Sequence, residues 1–102
     1  MDLLTIKNLC KDDTIEVTGH FLKRCDQRGI RYSEVIEAIH NSEIIEDYPD
    51  DYPYPSCLLL GYTKSNRPLH IVTGPDGERL WFITAYVPDP EQWDESIVEY
   101  AA

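Results

Sequence analysis

The sequence predicts an α+β domain, with N-terminal helices packed on a C-terminal antiparallel sheet of three to four strands. Three observations lead there. Apolar residues recur at helical spacing through the first forty residues. From residue 43 onward they fall instead into short runs rich in β-branched and aromatic residues, and clusters of Pro and Gly separate those runs. A chain of 102 residues supplies a single domain, 1–102, with a core of its own.

The elements follow in order. Leu3, Leu4, Ile6, Leu9 and Cys10 fit a short amphipathic helix over 2–10, broken by Lys11-Asp12-Asp13. Thr14–Thr18 alternates and reads as a brief extended segment. Thr18 is an N-cap for a helix over 19–28, Gly29 is its left-handed stop, and Phe21, Leu22 and Cys25 anchor it to the core. Ser33 caps a further helix over about 34–40, with Val35, Ile36 and Ile39 inward and Asn41 as its stop. Strands are expected at 43–48, 57–63, 68–73 and 79–86, the last apolar enough to sit centrally. Three prolines within 49–55 forbid a helix or a central strand there. Gly74-Pro75-Asp76-Gly77 is a turn. The tail over 91–100 reads as a short helix with Trp93 and Ile97 inward.

Composition narrows the function classes. The three cysteines, Cys10, Cys25 and Cys57, form no Cys-x-x-Cys pair, which argues against a disulfide framework and a zinc knuckle. The first residues lack a basic-then-apolar leader, and no apolar run approaches a bilayer span. A cytoplasmic protein without membrane contact is expected. The net charge of −10 opposes non-specific nucleic-acid binding, and no DNA partner is expected. The charge is uneven, however. Lys23, Arg24, Arg28 and Arg31 are opposed locally by Asp26 alone, while Glu43, Glu46, Asp47, Asp50 and Asp51 form an acidic cluster. A second acidic cluster lies in the tail, over 89–99. A basic stripe on an acidic body suits a small anionic site better than a long groove.

His20, Arg24 and Arg28 carry that stripe. Each step of four residues turns about 40° around a helix, so the three side chains share one face. Neutral His20 is then a general base, and Arg24 and Arg28 hold a phosphate by forked hydrogen bonds. His70 supplies a complementary acid and Tyr86 a hydrogen-bond donor. Together they suit RNA cleavage by 2′-hydroxyl attack on the adjacent phosphate. The alternatives are plainer: arginines paired with nearby carboxylates, His20 as a capping or packing residue, His70 in the core, and Tyr86 finishing a strand. No cofactor is expected, because no P-loop or dinucleotide fingerprint appears. Nor is a metal, because His20, His40 and His70 are not spaced as helical ligand pairs. The tyrosines of 48–54 suit a protein contact better than RNA stacking, since their carboxylate neighbours repel phosphate.

Thr18-Gly19-His20, Arg24, Arg28-Gly29-Ile30 and Ile44–Asp50 resemble a bacterial family known as domain of unknown function 4258. So do Leu58–Tyr62, Arg67–Val72 and Thr84–Pro90 with Trp93, and the blocks run in the family's order over about 14–93. The resemblance implies a layout similar to RelE/ParE-like and MqsR-like toxins. It implies a metal-independent ribonuclease of a toxin–antitoxin type system, restrained by an antitoxin protein, with His20, Arg24, Arg28, His70 and Tyr86 at motif positions. An acidic chain of this kind would meet RNA through the ribosome or another partner. The alternative is a non-catalytic interaction module that binds an acidic partner or a small anion through the same stripe.

Overall fold

The computed structural model describes residues 2–89 together with two short strands at 93–94 and 99–100. Helices α1 (Leu3–Leu9), α2 (Gly19–Gln27) and α3 (Tyr32–His40) pack on one face of a five-stranded sheet. Its strands are β1 (Ile15–Glu16), β2 (Ser42–Tyr48), β3 (Ser56–Tyr62), β4 (Pro68–Pro75) and β5 (Leu80–Tyr86), in the spatial order β1-β5-β4-β3-β2. The α+β class holds. The sheet is larger than expected and mixed, because the 14–18 segment contributes β1, which runs parallel to β5 with Ile15 opposite Leu80.

Periodicity decides the core. Ile6, Phe21, Cys25, Val35, Ala38 and Ile39 come down from the helices onto Cys57, Leu59, Leu69, Ile71, Leu80, Phe82 and Ala85. Each strand contributes alternate residues to that layer, as the pleat requires. Leu22 does not join them: at 45% exposure it faces water, because it follows buried Phe21 by only about 100° of helix rotation. The N-cap of α2 is as expected, with Thr18 Oγ1 accepting from the Phe21 N–H at 3.0 Å. Its C-terminus is a Schellman closure. Gly29, at φ 66°, sends its N–H to the Asp26 carbonyl, and the Ile30 N–H reaches the Cys25 carbonyl at 2.9 Å.

Three boundaries differ from expectation. α3 starts at Tyr32 with Arg31 as its extended N-cap, so Ser33 lies inside the first turn. The capping is done from within, by the Glu34 carboxylate accepting the Arg31 N–H at 3.0 Å. β5 is paired along its length by β4, but by β1 only at 80–81, which leaves its last residues an open edge; β3 and β4 are the central strands. In the tail, β6 (Trp93–Asp94) pairs with β7 (Glu99–Tyr100) where a helix was expected. Aromatic residues at 93 and 100 favour extended backbone; Ile97 lies outside the described residues.

Two β-bulges set what the other sheet face carries. Between Ile44 and Glu46 the register against β3 slips by one residue, which turns Glu46 and Tyr48 to the face away from the helices. Between Val72 and Thr73 the register against β5 slips likewise, with Ile83 as the extra residue. Thr84 and Tyr86 thereby share the outer face with Val72 and His70.

Candidate functional site

The five residues picked from sequence separate into two groups joined by one of them. His20 and Arg24 stand exposed on α2, about 100° around the helix from Phe21 and Cys25, which are buried. Neither side chain makes a hydrogen bond or ion pair among the described residues, so Arg24 is not neutralised by a neighbouring carboxylate. His70 and Tyr86 are register partners on β4 and β5, and their rings meet edge to face with centroids 5.4 Å apart.

Arg28 links the two groups. It is the C-cap of α2, and its side chain crosses to the open edge of β5. Nη1 donates to the Ala85 carbonyl at 2.9 Å and to Thr84 Oγ1 at 3.3 Å. The guanidinium therefore satisfies a strand-edge carbonyl that β1 is too short to reach, beside the strand position of Tyr86.

A second arginine fixes the frame. Arg67, in the turn between β3 and β4, donates to the Gly29 carbonyl at 2.9 Å and to both oxygens of Glu34 at 3.3 Å. Glu34 is buried and its carboxyl is held below the usual carboxylate range, first by the Arg31 N–H and then by Arg67. The α2–α3 turn, and with it Arg28, is thus tied to the sheet.

His70 has no solvent exposure, and burial pushes its imidazole down to about 4 against a weaker opposing pull from Glu46. It is neutral near pH 7. Burial thus works against the protonated form that the acid role expected from sequence needs, while the His70 ring packs against Tyr86. Sequence reasoning missed two groups beside it. Tyr48 donates its hydroxyl to Glu46 Oε2 at 2.5 Å. Burial first, then that bond and the nearby Tyr86 and Asp51, raise the Tyr48 phenol above its ordinary range. Alternation alone would have turned Glu46 inward with Ile44; only the bulge reverses it.

Thiol chemistry is unfavourable. All three cysteines are buried, and desolvation pushes Cys10 and Cys57 up to about 12 and raises Cys25 despite Arg28 nearby. Among the described residues no three His, Cys, Asp or Glu side chains converge as a metal ligand set. No helix there is long and apolar enough to cross a membrane.

The described site is thus an exposed imidazole and guanidinium on one helix, with a second guanidinium held at the β5 edge beside the positions of buried His70 and half-buried Tyr86, on an α+β frame. Residues 17–87 match the family described as Domain of unknown function (DUF4258). The match spans most of the chain, and the chain belongs to that family. No curated protein and no solved structure matches it.

Proposed function

We propose that this chain is a toxin-like, metal-independent ribonuclease of a toxin–antitoxin type system, RelE-like in its layout. The observation that supports the reading is the exposed, unneutralised pair His20 and Arg24 on the helix whose next turn ends in Arg28. On a chain of net charge −10, an exposed arginine without a carboxylate partner is a local positive site suited to an anion.

In this reading Arg24 and Arg28 take the scissile phosphate and stabilise the charge that grows on it. His20 accepts the 2′-hydroxyl proton as that oxygen attacks phosphorus. The bond to the 5′-oxygen breaks, the leaving oxygen takes a proton from water, and the products are a 2′,3′-cyclic phosphate and a 5′-hydroxyl. Tyr86 donates a hydrogen bond to the phosphate, and His70 positions its ring. The acidic remainder of the surface suits delivery of RNA by the ribosome or another partner, with an antitoxin protein as the restraint.

The burial of His70 favours a second reading, a non-catalytic module that binds an acidic partner or small anion through the same stripe. One assay separates them. Purified protein is incubated with single-stranded RNA in the presence of a chelator, and the ends are read by mass spectrometry. Cyclic-phosphate ends, lost by about 10²-fold or more in His20→Ala with melting behaviour retained, support the nuclease. RNA that stays intact, with anion binding lost in Arg24→Ala but kept in His20→Ala, refutes it in favour of the module.

A further inference from the structure

The outer sheet face bears a feature that the α2 stripe does not use. The loop over 51–55 folds beside β4 and β5, and between them lies an open groove of about 550 Å³. Tyr52, Tyr54, Trp81 and Ile83 give it apolar walls, and Asp51 and Asp76 stand in its lining. Tyr52 is 95% exposed, and Tyr54 and Ile83 are about half exposed, so the aromatic surface is open to solvent. A volume of this size lies within the roughly 300–1,000 Å³ typical of sites that accept ligands.

The groove is built, not incidental. Pro53 and Pro55 stiffen the loop, and Ser56 Oγ donates to the Asp51 carboxylate at its base. A Cβ at Gly74 would lie 2.5 Å from the Pro55 carbonyl, so only glycine lets the loop pass that close to β4. Asp76 accepts from the Trp81 indole Nε1 at 2.9 Å and from the Arg79 N–H at 3.0 Å, which fixes both the ring and the carboxylate. Those bonds, the indole's first, hold the Asp76 carboxyl below its ordinary range.

Charge selects the occupant. Among the described residues no Lys, Arg or His lines the groove, and none occurs anywhere in the sequence from residue 41 to 63, a span that carries Glu43, Glu46, Asp47, Asp50 and Asp51. Phosphate is repelled here, whereas a cation gains from both carboxylates and ring faces. A guanidinium fits better than an ammonium, because it stacks flat on an aromatic ring and still forks onto a carboxylate. We propose that this groove docks an arginine-bearing basic segment of a protein partner. The inference is independent of the ribonuclease reading, since it uses no residue of the α2 stripe.

The test titrates full-length protein into a fluorescein-labelled Arg-Gly-Ser repeat peptide, its Lys-for-Arg and Glu-for-Arg counterparts, and oligouridine RNA. The Arg peptide binds, the Lys peptide binds more weakly and the Glu peptide does not. Affinity falls as salt rises from about 0.1 M to about 1 M, where the Debye length shortens from about 10 Å to about 3 Å. Tyr52→Ala/Tyr54→Ala loses about tenfold or more in affinity for the Arg peptide while melting as the parent does, because both rings are solvent-exposed. Arg-peptide binding that is absent, or unchanged in the double variant, overturns the proposal. So does RNA binding that the double variant abolishes, or self-association that depends on Tyr52.

Discussion

Lowering the pH exposes what burial of His70 costs. Its imidazole is at about 4 in the folded chain against an ordinary value of 6.5. Between those values the unfolded chain holds a proton that the folded chain refuses, so stability rises with pH across that window. The contribution is complete above about pH 6.5 and is lost as pH falls towards 4. A gap of about 2.5 pH units, at about 1.4 kcal/mol per unit, corresponds to about 3 kcal/mol. The Glu34 carboxyl, held low, surrenders its own contribution only below about 4.5, so the interval from pH 6.5 to 4.5 isolates the histidine. The assay is urea unfolding across that interval for the parent and for His70→Phe. Phe keeps a ring against Tyr86 and cannot take a proton. The parent should lose about 2–3 kcal/mol more than the variant over the interval. Equal pH slopes in the two proteins would refute the argument, and would return a protonatable His70 to consideration as the catalytic acid.

Four further outcomes follow from the geometry. Gly61→Ala places a Cβ 2.1 Å from the Ala38 carbonyl oxygen, backbone against backbone, so α3 must move off β3; thermal unfolding should show a loss of about 3 kcal/mol. Gly19→Ala, with nothing within 4 Å, should instead leave stability unchanged or raise it by up to about 1 kcal/mol. Arg28→Ala removes both bonds to the β5 edge and should cost about 1 kcal/mol in urea unfolding, with faster amide exchange at the end of β5 and loss of any RNA cleavage. Glu34→Ala leaves half-buried Arg67 without its carboxylate and should cost about 2 kcal/mol by the same measurement, whereas Glu34→Gln should cost less because it still accepts from the Arg31 N–H.

The elements that the sequence disclosed are those fixed by local chemistry. The Thr18 cap and the Gly29 stop bound α2 because one side-chain oxygen and one left-handed residue suffice to end a helix. Strands β3 and β4 were legible because buried central strands are built around near-continuous apolar runs, here Cys57–Leu60 and Leu69–Val72 broken only by His70. The exposure of His20 and Arg24 on one helix face also followed from spacing alone. Other features depend on partners far along the chain. Whether Ile15–Glu16 is a strand depends on Leu80 and Trp81, and whether Arg28 is free depends on an edge carbonyl 57 residues away. His70 reads more readily as a core residue than as an acid, but sequence alone does not decide between them until its neighbours are known. Its desolvation is a sum over the strands beside it and has no local signature. The bulges were least visible of all. One inserted residue costs little in propensity, yet it reverses every later side chain in the strand. The sequence by itself therefore determined the order of the three helices and of the four long strands, and which residues carry charge. Only the tertiary structure decided which of those charges meet, which are buried, and that Glu46 and Tyr48 stand beside His70, because strand register and burial are properties of the assembled sheet.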